Sequence, residues 1–287
     1  MESRDLKQQR IERLRGLIAA GAAKPSPKLA WNGENGSLSG ALAQDKDAAR
    51  FAELTGLPLE LSQWAELLDG AVGRQAAAEF AAAQGLDGFY LRWLGALRPG
   101  ADLGPVMPEI IGRQLAELAE WPELPPDAAV RRLSRDLALL WQRALGGDVA
   151  DADEWRTRRK EAVGLSDSLD DAFAASLAEI LSSVAWPPAQ LEGEALAALQ
   201  KLLSLRQTLA TLPGMNAVQQ AAARESAEQP RRFRRAAEAP GFDMMAWYLN
   251  QPKPEPAPGL EEPVDQAASL ALLAAACRQV LALSALR

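Results

Sequence analysis

Apolar residues recur along most of the chain at intervals of three and four, the spacing that lines one face of an α-helix. Leu6, Ile11, Leu14, Leu17 and Ile18 predict an amphipathic helix over 3–20 that Gly21 ends. Residues 22–40 hold two prolines, several glycines and serines around Trp31 and predict a loop. From Gln44 onward the helical pattern is nearly continuous. A helix over 45–55 stops at Thr55-Gly56. Pro58 starts another, with Leu61, Trp64, Leu67 and Leu68 as its stripe, and an alanine-rich helix follows over 72–84. Asp87 is placed to cap a helix carrying Phe89, Tyr90, Trp93, Leu94 and Leu97.

The stretch 97–106 forces a corner, because the residue before Pro99 is pushed out of the α region and Asp102 and Pro105 suit the start of a new helix. That helix runs over 105–120 with Ile110, Ile111, Leu115 and Leu118 inward, and the proline-rich connector 121–126 ends it. Asp127 is placed to cap a helix reaching Leu145, on which Val130, Leu133, Leu137, Leu140 and Trp141 form the stripe and which Gly146-Gly147 stops. Further helices are predicted over 151–163, 168–185, 193–211 and 214–228. The pattern weakens from Pro230, with a short helix at 242–249, a proline-rich linker at 252–263 and a last Ala/Leu helix over 264–286. No segment alternates with period two, so little or no sheet is expected. The prediction is an all-α fold of about eleven or twelve helices, either a multi-helix bundle or stacked antiparallel hairpins. Three regions are expected: 1–40 as an N-terminal helix and linker, 41–229 as the main helical domain, and 230–287 packing on it.

Composition narrows the chemistry. The 287 residues contain no histidine. That excludes Ser–His and Cys–His nucleophile pairs, imidazole metal ligands and the usual base poised near neutral pH. Neither cofactor nor metal is expected, and surface binding is preferred over bond-making. Cys277 is the one cysteine, so no intrachain disulfide can form, which suits a reducing cytoplasm. The first residues carry both charge signs and do not resemble a secretory signal. The apolar run 267–286 is interrupted by Arg278 and Gln279 and reads as a buried helix, not a membrane span. The eight tryptophans read mostly as core anchors.

Net charge is −7 and unevenly spread. Residues 100–194 hold nine Lys/Arg against eighteen Asp/Glu, a net of −9. That argues against nucleic acid as a partner and suits a basic protein. Charge is densest at Asp148, Asp151, Asp153 and Glu154, followed by Trp155 and then Arg156, Arg158, Arg159 and Lys160. Acids at a helix start complement its dipole, and Glu154 with Arg158 is an i,i+4 pair. The same residues can form a recognition edge beside an exposed tryptophan anchor. A calcium loop is disfavoured, since the glycine and terminal glutamate are missing. Asp167, Asp170 and Asp171 form a second acidic set at the next helix start, and the two sets make one surface only if they share a face. Arg231-Arg232-Phe233-Arg234-Arg235 reads as a solvated or intramolecular ion-pairing patch in preference to a nucleic-acid contact.

Several turns in order resemble a loosely defined set of helical bacterial proteins: Thr55-Gly56-Leu57-Pro58, Trp64 with Leu67-Leu68-Asp69, Arg98-Pro99-Gly100-Ala101-Asp102-Leu103, and Gly147-Asp148 with Glu154-Trp155-Arg156 and Arg159. The likeness covers about residues 51–160. Size, acidity and helical character are also similar to cytoplasmic immunity proteins that neutralise antibacterial effectors such as those of type VI secretion. That resemblance implies an antitoxin-like inhibitor that binds a basic toxin domain, with no membrane partner. A helical adaptor or chaperone holding a peptide or effector segment is the alternative.

Overall fold

The computed structural model describes residues 4–121, 128–148, 151–191, 193–251 and 258–287. Among these the fold is an all-α, multi-helix bundle of fourteen α-helices. In chain order they are α1 (Arg4–Ala19), α2 (Leu38–Ala43), α3 (Ala48–Thr55), α4 (Leu59–Gln75), α5 (Ala78–Ala83), α6 (Phe89–Ala96) and α7 (Val106–Leu118). The rest are α8 (Ala128–Leu145), α9 (Ala152–Ser168), α10 (Ala172–Ser183), α11 (Glu194–Thr211), α12 (Ala217–Ala237), α13 (Met244–Leu249) and α14 (Ala267–Ala285). Sheet among the described residues is confined to a two-residue parallel pair, β1 (Ala23–Lys24) with β2 (Gly36–Ser37), and a single bridge from Trp31 to Gly36.

The chain forms two compact units. The first takes Met1–Ile111, Ala195–Ala197 and Leu270–Arg287, the second Gly112–Glu194 and Ala198–Ser269. In the first, Leu14, Leu38, Phe51, Leu61, Leu68, Phe89, Tyr90 and Trp93 are buried together with Cys277, Val280 and Leu283 of α14. The Trp93 indole donates to Ser284 Oγ at 3.1 Å, which satisfies its one polar atom inside that core. Helix α14 is 19 residues long and apolar enough to cross a membrane, and 44% of its apolar window is buried inside the protein.

Several local expectations hold for simple reasons. Gly56, at φ 71°, closes α3 in the left-handed conformation glycine tolerates; at the other end the structure adds a cap, Asp47 accepting from the Ala49 and Arg50 amides. Gly147 plays the part of Gly56 beyond α8 at φ 85°. Others change. The segment 22–40 is not a loop throughout: it supplies both short strands and the start of α2. The helix expected over 72–84 is divided, since α4 runs on through Gly70 to Gln75 and α5 starts only at Ala78. An added Cβ at Gly70 would stand 2.7 Å from the Pro25 ring, so the glycine serves a close approach. Asp87 does not cap α6. Gly88 holds that position without a side-chain bond, and Asp69 of α4 accepts the Tyr90 amide instead. Helix α12 continues through Pro230, although proline removes a donor there. The expected cap at Asp127, the connector 122–126 and part of the 252–263 linker lie outside the described residues.

Candidate functional site

The acidic candidates belong to the second unit, on α8, α9 and the turns beside them. Helix α8 buries Val130, Leu133, Leu137, Leu140 and Trp141, the stripe its spacing predicts. The Trp141 indole donates to the Val184 carbonyl at 2.9 Å. Trp155 meets Trp141 edge to face, with ring centroids 6.2 Å apart. At 2% exposure Trp155 is a core residue, and the exposed anchor expected at this position is not there. Its place at the first turn of α9 is what brings α9 against α8. Among the second unit's tryptophans, Trp186 reaches solvent, with the Arg159 guanidinium 3.4 Å above its ring.

The first acidic set has its own counterions. Asp151 caps α9, accepting from the Asp153 amide at 3.1 Å. Arg143 of α8 reaches both Asp148 at 2.8 Å and Glu154 at 3.0 Å, and Asp153 pairs with Arg156. The hydrogen bond that Arg143 donates to Asp148, then the charge of Glu154, hold its guanidinium above the ordinary pKa. The expected Glu154–Arg158 pair is replaced: Arg158 turns to Asp136 at 3.1 Å and Glu161 at 2.8 Å. Helix α8 presents a charged row that competes for the arginines of α9, and that row is invisible from spacing within α9 alone.

Between α8 and α9 these residues line an open groove of about 400 Å³. Its walls carry the carboxylates of Asp136, Asp151, Asp153 and Glu154 against the guanidinium groups of Arg143 and Arg158, with Arg156 answering Asp153 from outside the walls and Asp151 capping α9. Leu139 also lines it and is 59% exposed, an apolar side chain left on the solvent side of an otherwise regular amphipathic helix.

The second acidic set does not join the first. Asp171 caps α10 through the Ala174 amide at 2.8 Å, and Asp170 is exposed. Asp167 pairs with Arg234 at 2.5 Å. Asp148 to Glu154 stand at the start of α9 and Asp167 to Asp171 at and beyond its end. A helix of 17 residues rising 1.5 Å per residue puts about 25 Å between them. The arginine-rich stretch of α12 covers that far end. Arg231 donates to the Leu169 carbonyl at 2.6 Å and pairs with Glu228, Arg232 pairs with Glu225, and Arg235 donates to the Asp167 carbonyl. Cations at the carbonyl end of α9 are where the helix dipole favours them. These pairs also hold α12 helical past Pro230.

The first unit holds a polar cluster that spacing analysis missed. Glu66, Ser39, Ser62 and Tyr90 are all buried to 1% exposure or less. Glu66 Oε1 accepts the amides of Ser26 at 2.9 Å and Leu38 at 2.8 Å. Its Oε2 accepts the Ser39 amide at 2.9 Å and hydroxyl at 2.6 Å. The Ser62 and Tyr90 hydroxyls are 2.6 Å apart. Burial raises the Glu66 carboxyl above its ordinary pKa, with the four donors pulling the other way. Burial also raises the Tyr90 phenol, beside the charge of Glu66. The available signal was Ser62, Glu66 and Asp69 at i, i+4 and i+7, one face of α4. The carboxylate serves the amides that open α2, a structural use, and apart from the part-buried Ser26 its partners are buried.

Among the described residues no group of three or more carboxylates and thiols is placed to hold a metal ion. No family model, no curated protein and no solved structure matches the chain.

Proposed function

We propose that the protein works by binding a basic protein partner in the α8–α9 groove, and that it does so as an immunity protein holding a bacterial toxin or effector inactive. The observation that carries the reading is the groove itself: four carboxylates against two guanidinium groups, with Leu139 exposed among them. Carboxylates at the groove attract and orient a cationic partner, while a desolvated apolar side chain supplies binding energy. Leu139 takes the anchoring role first given to Trp155. Asp148, Asp151, Asp153 and Glu154 remain in the recognition surface, and Asp167, Asp170 and Asp171 leave it because they stand at the other end of α9.

The test is growth rescue. The chain is co-expressed with candidate basic toxin domains, as wild type and as the Asp153→Lys/Glu154→Lys double variant, which leaves the Asp151 cap in place. Rescue by the wild type alone, with unchanged circular dichroism and a salt-sensitive affinity in calorimetry, supports the reading. Rescue by both moves the interface off this groove, and rescue by neither removes the immunity role. A second reading, an adaptor or chaperone, rests on a groove of about 520 Å³ beside Phe173, Ile180, Leu205 and Met215, where apolar and hydroxyl side chains alternate. Recovery of many unrelated clients, and no single tight basic partner, would favour it.

A further inference from the structure

The corner at 97–106 walls a cavity in the first unit that plays no part in the proposed recognition surface. Its volume is about 380 Å³, and its apolar lining includes the buried side chains of Ile11, Leu42, Leu94, Leu97 and Leu103. The charged side chains that line it are Lys7, Arg10, Arg98 and Glu53, three cations to one carboxylate in a protein whose net charge is negative. Lys7 is held at the wall by the carbonyls of Gly95 at 3.0 Å and Leu97 at 2.5 Å, which fix its ammonium group and leave its charge in place. Arg98 is exposed. Gly56 and Gly100 line the same cavity at φ 71° and 80°, where side chains are rarely accommodated, so backbone forms part of the wall.

We infer that this cavity binds a small amphipathic monoanion, a medium-chain acyl or arylalkyl carboxylate, with its tail on the leucine floor and its carboxylate toward Arg98. The volume lies at the small end of ligand pockets, room for a short hydrocarbon tail and too little for a helix face. Apolar walls lower the local dielectric, so the cationic surplus acts on a bound anion more strongly than the same charges would on an open surface. A neutral amphiphile gains the floor and not the rim, and a cationic one is repelled by it. Charge therefore separates this site from a merely greasy hole.

The experiment is titration calorimetry of the full chain with octanoate, octanol and octylammonium, together with methyl NMR to locate binding. Octanoate should bind with shifts at Leu42, Leu94, Leu97 and Leu103. Octanol should bind about tenfold more weakly, the equivalent of about 1.4 kcal/mol, and octylammonium more weakly still. Arg98→Gln, an exposed position, should weaken octanoate severalfold and leave octanol and the unfolding midpoint unchanged. Equal affinity for acid and alcohol would overturn the inference. So would shifts confined to other methyl groups, or no octanoate binding at about 5 mM, above the millimolar range expected of so small a contact.

Discussion

Replacing Glu66 with alanine should unfold the first unit locally at α2 while leaving the second unit untouched. The carboxylate is the acceptor for the Leu38 and Ser39 amides, the first two donors of a six-residue helix with no length of its own to stabilise it. Both bonds are buried. Each buried amide left without an acceptor costs about 1–3 kcal/mol, so the pair accounts for about 4 kcal/mol. The Ser26 amide is only partly buried and can recover a water, so it adds little. Chemical denaturation gives the total, and amide exchange over 38–42 locates it. A loss below about 1 kcal/mol, with unchanged exchange, would refute the claim that this carboxylate organises α2.

The same residue carries a pH signature. Its folded pKa lies above the ordinary 4.5, with desolvation the leading cause, and Asp69 is raised for the same reason. A carboxyl with a raised folded pKa contributes stability below its unfolded pKa and loses that contribution as pH rises through the folded value. Glu66→Gln cannot titrate. The stability of the wild type relative to that variant should therefore fall as pH rises from 4.5. A difference that grows with pH in the wild type's favour would mean that the four donors outweigh burial.

Three further outcomes follow from contacts elsewhere. Trp155→Ala should cost about 3–5 kcal/mol in thermal or chemical unfolding, because it empties the space against Trp141; a change within about 0.5 kcal/mol would return Trp155 to the surface. Gly40→Ala puts a Cβ 2.0 Å from the Ala30 carbonyl oxygen, backbone against backbone. Overpacking of that kind costs about 1–3 kcal/mol or more, and an unfolding midpoint equal to the wild type's would show that the 30–40 segment gives way freely. The Cys277 thiol is buried, with burial pushing its pKa to about 12. Ellman's reagent should label it only at the rate at which the first unit opens, and labelling at the rate of a free thiol in native buffer would contradict that burial.

What the sequence made legible was whatever a short stretch decides by itself. The stripe on α8 is read off one helix, as are the cap at Asp171 and the stops at Gly56 and Gly147. What it hid was decided at long range. The α2 amides find their acceptor at Glu66, 27 and 28 positions away. Tyr90 is capped from Asp69 in an earlier helix, not from its neighbour Asp87. Pro230 marks a break by local rules, yet the arginines after it find Asp167 and the Leu169 carbonyl more than sixty positions back, and the helix goes on. The candidate site shows the same division. That residues 148–154 are acidic at a helix start was plain, since capping chemistry is local. Which arginines answer them was not, because α8 supplies Arg143 and draws Arg158 away with Asp136. Charge counted along the chain treats the −9 of the middle segment as one field. In space seven of its eighteen acids stand at the two ends of α9, one end covered by α12 and the other open around Leu139. A salt-dependent partner would therefore meet the start of α9, and substitutions at Asp167 or Arg234 should change stability without changing affinity.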